Sequence, residues 1–519
     1  MQELPRLPVG EQDFEKIRRS GMVYVDKTGF IYRMINSGVS FYFVSRPRRF
    51  GKSLLVSTLK EIFLGKRELF EGLYIYDKIS WESFPVIHID FSNIGFRDIG
   101  LVEAIDRNIN QWASFYEVSL QARGIGLKFS ELIQKLYVKS GRGVVILIDE
   151  YDKPLTDVLE SHEMSRVREH REVLRNFYSV VKGNSGCIRF FFLTGITRFT
   201  KVSLFSDLNN LTDLTFFSDF HGMLGYTQEE IRLYFRGHIE WLSCHQGRDY
   251  EAVLKEIREW YDGYSWNGRD RVYNPYSVLR FLFQGEFQNF WFESGTPKFL
   301  IGQLKEKMRY DLSEVSVNMG IINNFDINDL NLETLLFQTG YLTIVRKDEI
   351  GGFVLGYPNK EVEQSMLQYL ITAFSDNSLS SRIAEDIALS VRQGDMGLFV
   401  ETLNRLFSGI AGEIFLSKKE AYYHSVVYLA LKLSGYHVGC EVRTSRGRID
   451  AVMWYGGCCY VFEFKLDDSV ENAIKQIREK RYYEPFVGRG HRIFLVGINF
   501  SSERKEVDGW LMEELVTDS

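Results

Sequence analysis

The stretch Phe41–Leu55, FYFVSRPRRFGKSLL, restricts the fold of this 519-residue chain more than any other. Its opening aromatic and β-branched residues read as a buried strand, and GKSLLVSTLKEIF repeats apolar residues at helical spacing. Strand, irregular turn, Gly-Lys-Ser and helix is the layout of a phosphate-binding loop. Main-chain N–H groups at the helix start hold phosphate oxygens, Lys52 reaches the outer phosphates and the Ser53 hydroxyl ligates Mg²⁺. Arg49 and Gly51 complete the cofactor-binding set within the loop. The usual pattern places Gly five residues before Gly51, where this chain has Arg46. The same residues therefore also read as a basic turn capping a core helix.

The rest of the first third alternates strand-like and helix-like segments. VIHIDF (Val86–Phe91), VVILID (Val144–Asp149) and IRFFFLTG (Ile188–Gly195) read as strands. Helical periodicity runs through Leu101–Tyr116, Phe129–Val138 and Met164–Lys182. That alternation predicts a parallel, doubly wound α/β sheet. Ligands of such sheets bind at the carboxyl ends of the strands. Asp149 there would hold the Mg²⁺ water shell, and Glu150 would orient and deprotonate an attacking water. Thr194 ends the next strand and could sense a γ-phosphate, with Arg198 nearby to neutralise charge. Against this stand a plain helix N-cap for Asp149 and a satisfied strand-end hydroxyl for Thr194.

Charge and cysteine content narrow the function classes. The net charge of −6 leaves no global basic field, so any nucleic-acid site must be a local patch. The five cysteines contain no CxxC pair, which fits a reduced cytosol and not a zinc site. The first residues lack the apolar core of a signal peptide and no run of 18 apolar residues occurs, so a soluble, cytoplasmic protein is expected. A chain of this length is expected to hold two or three domains.

Residues 226–400 read as a mostly helical lid or connector, from YTQEEIRLYF, YEAVLKEIREWYDGYSW and PYSVLRFLF. Trp260, Tyr261, Tyr264 and Trp266 suggest either stacking on a base or, on their density, buried packing. LLFQTGYLTIV (Leu335–Val345) with GGFVLGYPN reads as a β-hairpin.

The last quarter carries a second site. A helix, Lys418–Tyr436, precedes three strands: EVRTS, RIDAVMWY and CYVFEFKL. Glu463 and Lys465 are two apart on a strand and share a face, and a hairpin register brings Asp450 beside Glu463. Two carboxylates that ligate Mg²⁺ beside a lysine ammonium suit phosphodiester hydrolysis. The competing reading is a surface hairpin with a cross-strand ion pair. Charges among the apolar residues of VFEFK would then be buried without purpose. Gln476 and Lys480, four apart on a helix, share a face suited to phosphate or water positioning. Glu420, four residues before His424, is a further candidate metal-side carboxylate. Arg443, Arg446 and Arg448 supply a local positive patch or a solvated turn.

GEQDFEKIRRSGMVYVDKTGFI, SRPRRFGKSLL, ILIDEYDKPL and FFLTGITRFTKVSLFSDLNNLTDLT together resemble the AAA-ATPase-like family of bacterial proteins, over roughly residues 8–225. RGRID…EFK followed by ENAIKQIREKRYY resembles the PD-(D/E)XK nuclease pattern that follows in that family. The resemblance implies that Lys52, Ser53, Asp149 and Glu150 contact ATP and Mg²⁺, and makes Arg46 a family trait. It also implies a catalytic core of Asp450, Glu463 and Lys465, with Gln476, Lys480 and Tyr482 on the following helix. Tyr24, Asp26 and Lys27 of YVDKT match the pattern as a rim of the nucleotide pocket.

The expected organisation is a P-loop domain at 1–225, the helical connector at 226–400 and a nuclease-like α/β domain at 401–519. The expected function is an ATP-binding protein of ATPase type with a Mg²⁺-dependent nuclease domain acting on nucleic acid, DNA in preference to RNA. Two alternatives are a nucleotide-dependent switch or nucleic-acid-binding module with weak or inactive sites, and a nuclease whose ATP site is structural.

Overall fold

The structure is a computed structural model describing residues 4–159, 164–198, 210–291, 298–306, 311–318, 320, 322, 331–348, 351–375, 380–409, 420–444 and 446–515. The chain forms two compact units. The first comprises residues 1–297 and 312–362, the second 298–311 and 363–519, so the span 226–400 is divided between them.

The first unit is built on five parallel strands in the order β2-β3-β4-β1-β5. They are β1 (Phe41–Ser45), β2 (Val86–Asp90), β3 (Val144–Asp149), β4 (Ile188–Gly195) and β5 (Thr212–Asp213). Every residue of β1 and β3 is buried, as strands covered on both faces require. Alternate residues feed opposite layers. Phe41, Phe43, Ile146, Ile148 and Phe191 pack with the helices Leu101–Phe115, Ile125–Ser140 and Met164–Gly183. Tyr42, Val44, Val145, Leu147 and Phe192 pack with α1 (Thr28–Asn36) and α2 (Lys52–Phe63). This is the doubly wound sheet that the strand–helix alternation predicts.

Helices α3 (Gln228–Tyr234), Tyr250–Tyr261 and α4 (Pro275–Gln284) follow, with a separate apolar core that takes in Val23 and Val25. A small antiparallel sheet joins β6 (Val315–Val317), β7 (Thr343–Lys347) and β8 (Phe353–Gly356). The expected hairpin is therefore present as β7–β8, but its first part is not strand. Leu332–Thr339 is a helix, N-capped by the Asn331 side chain and stopped by Gly340 in the left-handed conformation. Those two caps close the helix before the β-branched residues Thr343–Val345, which then form the start of β7.

The second unit carries a mixed sheet in the order β13-β12-β11-β10-β9. The strands are β9 (His437–Thr444), β10 (Gly447–Tyr455), β11 (Cys458–Leu466), β12 (Arg492–Ser501) and β13 (Glu506–Glu514). Helix α5 (Glu420–Leu433) covers one face through Tyr423, which stacks on Phe500. Helix α6 (Val470–Glu479) covers the other through Ile474 and Ile477 and makes the crossover between parallel β11 and β12. Because α6 ends at Glu479, Lys480 is its C-cap residue, and Tyr482 lies in the turn beyond instead of on the helix.

Candidate functional site

In the first unit, the chain leaves β1 and turns into α2 through two left-handed residues, Arg49 (φ 69°) and Gly51 (φ 86°). A Cβ on Gly51 would meet nothing, so glycine serves backbone conformation at this position and not space. Lys52 is buried and donates from Nζ to the carbonyls of Arg46 (3.0 Å) and Pro47 (2.9 Å). Burial pulls its pKa down against the opposing charges of Glu150, Asp149 and Asp152.

Arg46, standing where the usual loop has glycine, meets Lys52 through its main-chain carbonyl and sends its side chain to other partners. Its Nη1 donates to the carbonyls of Ser45 and Thr215, and its guanidinium lies 3.8 Å from the centre of the Trp266 ring. Burial pushes its pKa down to about 9. The substitution thus converts a phosphate-cradling position into a peg that fixes the strand end. Arg49 likewise stacks on Tyr276, 3.7 Å from the ring centre.

Asp149 closes β3, buried, with its pKa pushed up to about 6 by burial against the pull of the Ser53 hydroxyl and Lys52. Lys52, Ser53 and Asp149 are therefore one electrostatic group. A hydroxyl and a buried carboxylate of raised pKa beside the loop are a donor set that suits Mg²⁺. Glu150 holds a left-handed φ of 48° and ion-pairs with Lys153 at 3.6 Å. Thr194 donates its hydroxyl to the Val44 carbonyl (2.9 Å), the strand-end bond, and Arg198 is ion-paired with Asp213.

Asp152 was not among the expected site residues. Its buried carboxylate accepts from the amides of Ile196 (3.0 Å) and Thr197 (2.6 Å) and from the Thr197 hydroxyl. It ties the β3 turn to the end of β4, and a Cβ on Gly195 would fall 2.3 Å from its Oδ1. The only sequence signal was the third acid of DEYD. The YVDKT segment also acquires roles. Asp26 accepts from the Thr28 amide (2.8 Å) in the turn that leads into α1 and from the Tyr74 amide (2.7 Å), while Lys27 bonds both Glu230 carboxylate oxygens (2.6 Å) and the Gly222 carbonyl (2.7 Å).

In the second unit, β10 and β11 run antiparallel with Ala451 opposite Phe462. The next step of that register sets Asp450 beside Glu463. The Lys465 ammonium donates to Glu463 Oε1 and to Gln476 Oε1, each at 2.9 Å, joining β11 to α6. Asp450 Oδ2 accepts from the Phe464 amide at 2.8 Å. His424 on α5 lies between carboxylates, with Nε2 3.7 Å from Glu420 and Nδ1 3.9 Å from Asp450.

The electrostatics are those of a crowded acidic pair. Burial and then Asp450 push the Glu463 carboxyl up to about 7, against Lys465. Burial also raises Asp450. Burial opposes the charge on Lys465, but Glu463, Asp450 and Glu420 outweigh it and raise its pKa. Glu463 Oε2 is buried and makes no hydrogen bond, an orphaned acceptor beside a second carboxylate that a divalent cation would satisfy. Among the described residues no group of three or more His, Cys, Asp or Glu could hold a metal. Two carboxylates with the remaining positions left to water and phosphate is nevertheless how Mg²⁺ is commonly held.

The arginines are partly committed elsewhere. Arg446 faces Glu484 at 3.4 Å, Arg448 is exposed, and the Arg443 side chain lies outside the described residues.

Comparison with known proteins meets this geometry at both sites. Residues 8–205 match a family described as predicted AAA-ATPase, and residues 418–510 match the PD-(D/E)XK nuclease superfamily. The chain belongs to the AAA-ATPase-like family with a PD-(D/E)XK nuclease domain. It is 37% identical over 535 aligned positions to an uncharacterized protein in the vnfD 5′ region of Azotobacter chroococcum mcd 1, covering 98% of this chain and 99% of that one. No solved structure matches. Both loop and carboxylate pair of this family member fall inside the matched spans. Among the described residues no helix is long and apolar enough to cross a membrane.

Proposed function

We propose that the chain is an ATP-binding protein of ATPase type whose C-terminal domain hydrolyses phosphodiester bonds of nucleic acid, DNA in preference to RNA. One observation supports it most: a lysine ammonium clamped between the buried Glu463 and Gln476, next to a second, half-buried carboxylate, Asp450. An ordinary cross-strand ion pair has no need of the second carboxylate, whose proximity raises the pKa of Glu463.

Asp450 and Glu463 would hold Mg²⁺, which when bound polarises a phosphoryl oxygen and lowers the pKa of water. The chain's own residues do the rest. Lys465, charged and fixed on two acceptors, steadies the attacking hydroxide and offsets the charge that develops on the phosphoryl oxygens. Gln476 sets the angle of that ammonium. Glu420, held through His424, completes the acidic side of the site. At the loop, the amides at the start of α2 with Lys52 would receive the phosphates, and Asp149 with Ser53 would hold their Mg²⁺. Glu150 would orient the attacking water.

Purified protein incubated with DNA and RNA panels and Mg²⁺ or Mn²⁺, with and without ATP, tests this reading. Cutting that Glu463→Ala or Lys465→Ala abolishes is the expected result, and cutting that survives both sinks it. A second reading, a nucleotide-dependent switch without turnover, draws on Lys52 lying on the loop's own carbonyls and Glu150 on Lys153. Phosphate release that disappears in Lys52→Ala and Glu150→Ala would exclude it.

A further inference from the structure

Arg46 is buried just beyond the end of β1, and only one side of its guanidinium is bonded. Nη1 donates to the carbonyls of Ser45 (2.9 Å) and Thr215 (3.0 Å). Nε and Nη2 are buried and have no protein partner. Those two nitrogens form one edge of the guanidinium, the fork whose parallel N–H groups grip a single anion. A buried N–H left unbonded costs the whole of its lost hydration.

The charge is answered no better than the donors. Asp213 is the acid whose field reaches Arg46. One of its oxygens holds Arg198 and the other accepts from the Thr215 amide at 2.8 Å, and neither bonds Arg46. The Trp266 ring, 3.8 Å from the guanidinium carbon, attracts the cation without neutralising it. Burial brings the Arg46 pKa down to about 9, which leaves the group charged at neutral pH.

A small cavity lies against this group. Ser45, Arg46, Arg198, Thr215, Trp266 and Gln338 are among its walls, and it has room for about one water-sized sphere. Acceptors on those walls are already in use. The Ser45 and Thr215 carbonyls take Nη1, and Gln338 Oε1 takes the Arg198 amide at 2.8 Å. A water there could accept from Arg46, but it would compete for acceptors for its own protons and leave the charge uncompensated.

We propose that this cavity binds one monatomic anion of the halide class, chloride or bromide, on the Nε–Nη2 edge of Arg46. The ion completes the fork and neutralises a buried cation that no carboxylate pairs with among the described residues. Phosphate is excluded by size. The Arg46 carbonyl receives the Lys52 ammonium at 3.0 Å, so the ion braces the residue on which the phosphate loop begins. The site stands whether or not that loop receives a nucleotide.

The test uses the full chain at constant ionic strength, with potassium gluconate, whose anion is too large for the cavity, exchanged stepwise for potassium chloride. Chloride is expected to raise the wild-type melting temperature by about 2 °C, with saturation. Arg46→Met keeps an apolar stem against Trp266 and removes the charge and the donors, so the folded variant should show no such rise. Crystals of the wild type soaked in sodium bromide should give an anomalous-scattering peak within hydrogen-bond reach of both Nε and Nη2. A water at that place in bromide overturns the proposal, and that result needs no variant to fold. So does a wild-type melting temperature indifferent to chloride, or a folded Arg46→Met that gains as much from chloride as the wild type.

Discussion

The indole N–H of Trp291 donates to the main-chain carbonyl of Arg48 at 3.3 Å, across 243 residues of chain. It is one of several holds on the turn between β1 and α2. Phe50 meets the rings of Tyr264 and Trp266 edge-on, Arg49 stacks on Tyr276, and a Cβ at Gly340 would come within 2.7 Å of Pro47. Trp291 is itself anchored, its amide donating to the buried Glu361 at 2.8 Å. The loop is thus shaped by the residues that follow its own sheet as much as by that sheet.

Trp291→Phe removes the bond to Arg48 and also replaces a buried indole, packed on Tyr341, by a smaller ring. It should lower stability by about 2 kcal/mol, hydrogen bond and lost packing together, read as a lower urea midpoint. A midpoint unchanged from wild type would show that this hold on the turn carries no weight.

Glu463→Gln should make the protein more stable in chelator, by about 1 kcal/mol or somewhat more. It removes a buried charge whose pKa is pushed up to about 7 by burial and Asp450, although it also weakens the hold on Lys465. Mg²⁺ should raise the melting temperature of the wild type and not of the variant, because ligand binding stabilises only the form that binds it. A variant less stable in chelator, or one stabilised equally by Mg²⁺, counts against the metal pair.

What was legible beforehand is what one segment encodes by itself. β3 and β4 run from Val144 to Asp149 and from Ile188 to Gly195, as their apolar runs predict, because strands buried almost throughout on both faces read as near-continuous apolar runs. That Asp450, Glu463 and Lys465 would lie side by side followed from strand periodicity and a hairpin register, both local. Long-range partners were not legible. Nothing near RPRRF announces that Arg46 will lie on Trp266, and nothing in YVDKT names Glu230, some 203 residues on, as the partner of Lys27. Strands β12 and β13 escaped notice because they carry no chemistry. Leu335–Thr339 was read as the start of a hairpin strand from its apolar residues, and is helical because Asn331 and Gly340 cap the helix Leu332–Thr339 around it.

Gln476 touches neither carboxylate; it holds Lys465. Gln476→Ala should therefore cut the rate of nucleic-acid cleavage about 10- to 100-fold, the range for partners that orient a site residue, and leave KM nearly unchanged. Gln476→Glu keeps an acceptor for the ammonium and should recover much of the loss. Equal rates for Ala and wild type would remove Gln476 from the site.

Glu131 offers a test of the first unit's electrostatics away from any metal. Its carboxylate bonds Lys135 and accepts from the amides of Gln121 and Ala122, each at 2.8 Å. The Lys135 bond first, then the amides, hold its pKa down to about 2 from an ordinary 4.5. A carboxyl whose folded pKa lies below its unfolded one stabilises the fold above the unfolded value, and that contribution drains away as pH falls through the interval between them. Glu131→Gln should therefore melt at a lower temperature than wild type at pH 7. The gap should narrow as pH drops from about 4.5 toward 2, where the wild-type carboxyl is protonated as well. A gap of constant size across that range would mean that packing, and not charge, is what Glu131 contributes.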